Sequence, residues 1–113
     1  MQQEKLIEAY TRLRALKANL PDSYSIEEKY VQEFHKILSI LEQESGTSLS
    51  GFRIPLEELK PRVTSSNYLT HETFYTDWPE CDRSYLMMRI DGVLGFFEIQ
   101  MSAQKTAIGF SAR

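Results

Sequence analysis

Residues 85–101, YLMMRIDGVLGFFEIQM, are the most apolar stretch of the chain, and any fold must find cover for them. Arg89, Asp91 and Glu98 interrupt the run, which argues against a membrane span. Two readings compete. Asp91-Gly92 between apolar segments is the strongest short-range hairpin signal. That reading makes 84–99 a β-hairpin in an α+β fold. Neither arm alternates, however, because Leu86-Met87-Met88 and Phe96-Phe97 break the period of two. Helical spacing sorts the residues better. Leu86, Ile90, Val93, Phe97 and Met101 line one side with Tyr85, Met88, Phe96 and Ile99 beside them, while Ser84, Asp91, Gly95 and Glu98 share a narrow face. Asp77 with Glu80, and Pro79 in the first turn, would start such a helix, so we read one helix over about 79–101. Its two glycines cost about 1 kcal/mol each relative to alanine, and they could let a neighbour approach closely.

Two further helices precede it. Leu6, Tyr10, Leu13, Leu16 and Leu20 form one stripe at steps of four, three, three and four, which predicts a helix over about 3–18 ended by Pro21. In SIEEKYVQEFHKILSILEQESG, Ser25 with Glu28 reads as a capping box for a helix over about 26–44. Gly46 sits where a left-handed C-terminal cap belongs. The short joint between them favours antiparallel packing. From 46 to 78 the pattern is irregular, and the 47–78 excursion is expected to wrap around the outside of the helices. Pro55 and Pro61 bracket a short helix near 55–60, and a short β-ribbon is expected around TFYTD. The tail 102–113 reads as an extended arm or short strand. The whole is one mainly α domain.

The charge pattern narrows the partners. Thirteen basic and sixteen acidic side chains give a net charge of −3, with no basic block. Duplex DNA and anionic membranes are therefore poor partners. The start MQQEKLIEAY has no signal-peptide pattern, and the single cysteine, Cys81, permits no internal disulfide. Both features suit a cytoplasmic setting.

No chemistry-bearing constellation stands out. His35, His71 and Cys81 lack zinc-ligand spacing. Cys81 and His71 suggest a thiol–imidazole pair, but no flanking motif supports it, and packing is the simpler role for the cysteine. Glu27-Glu28 and Glu57-Glu58 sit where first helical turns favour acids. Gly92 and Gly95 make no phosphate loop, and no cofactor is indicated. What remains is SSNYLTHETFYTDWPECDR, residues 65–83, which is polar and rich in aromatics. Tyr68, Phe74, Tyr75 and Trp78, flanked by Arg62 and Arg83, could anchor a long connection, form a protein interface, or stack on a nucleotide or single-stranded bases.

IPLEELKPRVTSSNYLT, followed by CDRSYLMMRIDGVLGFFEI, resembles a pattern in small bacterial proteins of uncharacterised function. The resemblance implies a bacterial origin and a helical 79–101 segment. It carries no site residue with it.

The sequence thus leads us to expect a non-catalytic, self-associating interaction or assembly module. A small domain has little surface with which to cover so apolar a helix, and a second copy would supply it. The contact is expected on Leu6, Tyr10, Leu13, Leu16 and Leu20. The alternative is a small-molecule or nucleotide-binding or enzymatic domain, with Arg62, Tyr75, Trp78, Arg83 and Arg89 around an anionic ligand. Its motive is the placement of Arg89 and Asp91 in an apolar helix, where polar groups must be paired or functional. An exposed edge is the simpler account of both.

Overall fold

The run at 85–101 is one helix. The computed structural model describes residues 2–76 and 78–111, with side chains over 4–76 and 78–100. Helix α1 spans Gln2–Ala18, strand β1 Ser25–Glu27 and helix α2 Glu28–Ser45. Strands β2 (Val63–Asn67), β3 (Glu72–Tyr75) and β4 (Glu80–Asp82) follow, and helix α3 runs over Arg83–Ser111. Single 3-10 turns lie at Ser50–Phe52 and Leu56–Glu58. The fold is mostly helical, with two small antiparallel sheets, β1–β4 and β2–β3.

Helix α1 opposes both of its neighbours. Tyr10 donates to Glu98 at 2.8 Å and Lys17 pairs with Asp91 at 2.7 Å, so seven steps forward on α1 are seven steps back on α3. Arg12 meets Glu33 on α2 at 2.8 Å. These pairs are exposed and worth about 0–1 kcal/mol each, so they report the register rather than hold it. The core holds it: Leu13, Phe34, Ile37, Leu38, Leu41, Leu86, Ile90, Val93 and Phe97 are at most 1 % exposed. Each such side chain contributes about 1.5–3 kcal/mol.

Several boundaries differ from the sequence reading. The expected hairpin at Asp91-Gly92 does not form. Helix α3 begins at Arg83, because residues 80–82 pair with β1 before the chain can coil. It continues through Ser111 where an extended tail was expected, since SAQKTA contains no proline and good helix formers. Asp77 and residues 112–113 lie outside the described residues. Ser25 is no capping residue. It lies in β1, its hydroxyl bonds the Glu80 carboxylate, and Glu27 takes the N-cap position without a side-chain bond. Strand pairing satisfies the first α2 amide instead: Glu28 N–H donates to Pro79 O at 3.1 Å. The C-terminal cap is as expected, with Gly46 at φ 71° and its N–H on Glu42 O.

The segment after α2 is pinned rather than loose. His35 Nε2 accepts the Ile54 N–H at 2.9 Å, Glu42 accepts the Leu49 N–H at 2.8 Å, and Arg53 reaches Ser39 and Glu42. These three α2 side chains share one helical face. Leu49 and Ile54 are thereby buried. The rest of the excursion does not wrap the bundle. It rises as the β2–β3 ribbon, whose residues are all exposed. The long axis is 75 Å and the radius of gyration 18.4 Å, against about 13 Å for a compact domain this size. Among the described residues, no helix is long and apolar enough to cross a membrane.

Two measurements check this packing. A methyl group at Gly95 meets nothing within 4 Å, so Gly95→Ala should stabilise the protein by about 0.8–1.0 kcal/mol in urea unfolding. At Gly92 a Cβ would lie 2.8 Å from the Phe52 ring, so Gly92→Ala should fall short of that gain. Equal gains would mean that Phe52 does not pack there. Burial first, then the Arg53 charge, pushes the His35 pKa below its ordinary 6.5. The neutral ring that accepts from Ile54 is therefore favoured in the fold. Its contribution is complete above the unfolded value and is lost as pH falls through 6.5 and then the lower folded value. Unfolding curves between about pH 7 and about pH 5 should show this loss in the wild type. His35→Gln, which keeps an acceptor but does not titrate, should show less of it.

Candidate functional site

The residues singled out in the sequence do not gather in one place. Leu13, Leu16 and Leu20 are buried, and Leu6 and Tyr10 are partly buried against the same core. The α1 stripe therefore faces the interior of its own chain and is no free contact surface. The apolar side of α3 is also shielded by one chain as far as Phe97, which removes the surface-area motive for a second copy at that position. Met88 and Ile99, placed beside the apolar face from sequence, are exposed instead. The side chain of Met101 lies outside the described residues.

The five ligand candidates are likewise dispersed. Arg89 bonds Gly51 O at 2.6 Å and the Tyr85 hydroxyl at 2.8 Å, tying α3 to the pinned loop. Arg83 Nε donates to Pro21 O at 2.9 Å. Arg62 lies against β4, donating through Nε and Nη2 to Glu80 O and pairing with Asp82 at 3.2 Å. Trp78 Nε1 reaches Glu80 Oε2 at 3.2 Å. Tyr75 stands on the exposed ribbon. An open groove of ≈ 870 Å³ between the Asp22–Tyr24 loop and α3 contains only Arg83 of the five. The arginines are chiefly structural fasteners. Asp91, the other polar residue in the apolar run, is exposed and paired with Lys17.

Of the three arginines, Arg62 belongs to the fastening of the ribbon. At its base Lys60 exchanges two backbone bonds with Glu80, at 3.0 and 2.9 Å, on the edge of β4 away from β1. Thr76 N–H donates to Arg62 O at 2.8 Å, while Thr76 Oγ1 accepts from Arg62 N–H and donates to Trp78 O. At its tip Asn67 organises the turn. Its side chain accepts the Leu69 N–H at 2.9 Å and its carbonyl the His71 N–H at 2.8 Å, with His71 at φ 59°. The result is a shaped turn that presents Tyr68 and Leu69 at 91 % and 92 % exposure. Val63, Phe74 and Tyr75 along the ribbon are each more than half exposed. A solitary two-stranded ribbon is marginal in water, and each of its strands keeps one unpaired edge.

The ribbon region contains the expected β-structure around TFYTD. Its partner strand VTSSN was missed, because three consecutive small polar residues carry no apolar alternation. The β1–β4 ladder was missed as well. Its only signal, the polar–apolar–polar triplets Ser25-Ile26-Glu27 and Glu80-Cys81-Asp82, is shorter than any period can establish.

Cys81 takes no part in this surface. It is fully buried opposite Ile26, whereas His71 stands at the exposed turn, so the imagined thiol–imidazole pair is not assembled. Among the described residues, no cluster of His, Cys, Asp and Glu could hold a metal ion. Burial is the chief cause that pushes the Cys81 thiol up to about 11. A disulfide reagent at neutral pH should accordingly modify Cys81 only as fast as the protein opens, with a rate that rises steeply in urea; fast native-state labelling would contradict this burial. No family model, curated protein or solved structure matches the chain, so its function is argued from geometry.

Proposed function

We propose that the protein is a non-catalytic interaction or assembly module whose contact element is the projecting ribbon, residues 63–75. One observation carries this reading: a two-stranded ribbon holds its shape at both ends yet exposes Val63, Tyr68, Leu69, Phe74 and Tyr75 to water. Exposed apolar side chains in one element mark a binding surface, and tyrosine supplies large contact area at small entropy cost. The ribbon's open edges add backbone donors and acceptors that a partner strand can pair. The bundle serves as the rigid body that holds the ribbon away from itself. A single buried thiol suits a reducing, cytoplasmic setting.

A photo-crosslinking amino acid at position 68 tests this in the native host, with the exposed helix position Lys36 as control. Position 68 should give a discrete protein adduct, of whatever mass, and position 36 should not. Equal or absent labelling at position 68 would remove the ribbon as contact element.

A further inference from the structure

We propose that the ribbon pairs with a second copy of this chain, β3 against β3, to make a four-stranded sheet centred on Phe74. The inference rests on the reading of the ribbon as contact element and adds the partner and the register.

The two free edges are not equivalent. Strand β2 carries an irregularity between Val63 and Ser65, where the register with β3 shifts by a residue. A bulge of this kind blunts an edge. Strand β3, Glu72-Thr73-Phe74-Tyr75, is regular and contains no proline or lysine, with its one charge at the end. Other than its shortness and the terminal Glu72, it lacks the devices that keep edge strands apart.

The hydrogen-bond directions are also defined. Thr76 N–H points toward β2, donating to Arg62 O. Alternation along an antiparallel strand then directs Phe74 and Glu72 toward β2, and Thr73 and Tyr75 outward. A twofold axis perpendicular to the sheet keeps each face on its own side, so the pairing must be centred on a residue. Centring on Thr73 would draw His71, which has left-handed backbone and belongs to the turn, into the ladder. Centring on Phe74 sets Thr73 opposite Tyr75 of the second copy, and the reverse. These are the residues with outward backbone groups, and they exchange four hydrogen bonds. Phe74 faces its own counterpart in the closer, non-hydrogen-bonded position, and Glu72 faces Thr76, so no like charges meet. Aromatic–aromatic and aromatic–β-branched cross-strand pairs are the favourable kinds.

Three variants and a dilution series test this. In light scattering the wild type should rise toward twice the 13.2 kDa chain mass with concentration. Thr73→Pro removes an outward N–H and no β2–β3 bond, so it should remain at the single mass with an unchanged circular dichroism spectrum. Phe74→Cys should form a disulfide-linked dimer under mild oxidation, since Cys81 is buried, while Leu69→Cys at the turn should not. A wild type that stays monomeric through high micromolar concentration overturns the proposal, as does a Thr73→Pro protein that still dimerises. Absent cross-linking at position 74, or equal cross-linking at 69, does so too. If position 68 is still captured by another protein in the host, the ribbon remains the contact element and only the choice of partner falls.

Discussion

Strand β4 is three residues long, and the rest of the molecule hangs on it. Its inward side chain, Cys81, meets Ile26 of β1 inside the core. Its ladder is closed at both ends, by Glu28 N–H on Pro79 O and by Arg83 N–H on Tyr24 O. Those closing residues are the first of α2 and of α3. One short pairing thus sets where two helices begin. Both run opposite to α1: Tyr10–Glu98 and Lys17–Asp91 show it for α3, and Arg12 beside Glu33 with Lys5 and Glu8 beside Ile40 and Glu44 show it for α2. Glu80 then extends the same strand outward, holding Lys60 by two backbone bonds and Arg62 through its carbonyl. Its carboxylate meets Ser25 and Trp78. The ribbon inherits its base from the strand that organises the bundle.

This arrangement separates two kinds of surface. The bundle encloses most of the apolar side chains described on its helices, with Ile7 on α1 about half exposed. A folded helix packed against the rest of the bundle and the loop around Phe52 leaves Met88 and Ile99 exposed among the described side chains of α3. The ribbon encloses none of its own, because two strands without a covering layer have no inside. Its shape survives through polar bonds at Asn67 and Thr76 rather than through burial. Net hydrogen bonds are worth only about 0.5–1.5 kcal/mol each, so an element held this way gains much from any partner that covers it. Exposure and a defined shape together are what a contact element requires.

Much of the bundle was legible. The α1 stripe, the α2 face with its Gly46 cap and the apolar side of α3 all repeat over several turns, long enough for a period to show. The competing hairpin signal at Asp91-Gly92 was outweighed by that period, which the buried positions Leu86, Ile90, Val93 and Phe97 confirm. What the period could not say was which surface each stripe would face. Leu13 and Leu16 suit a partner subunit as well as a neighbouring helix, and only packing shows that α2 and α3 already cover them. The candidate surface was less legible. Arg62 and Trp78 had the composition of a binding site, yet they fasten the ribbon, because their roles depend on a strand some eighteen residues away from Arg62.

By itself, the sequence determined that three helices form and the central positions of their buried faces, since a 3.6-residue repeat of apolar side chains has one economical solution in water. It also showed the absence of a basic block along the chain, which is a matter of counting. Only the tertiary structure decided the rest. Triplets such as Ser25-Ile26-Glu27 become strands when a partner from more than fifty residues away supplies their hydrogen bonds, and no local preference encodes that meeting. The ribbon's exposure was decided in the same way: aromatic residues become surface or core according to whether a layer lies over them, and here none does.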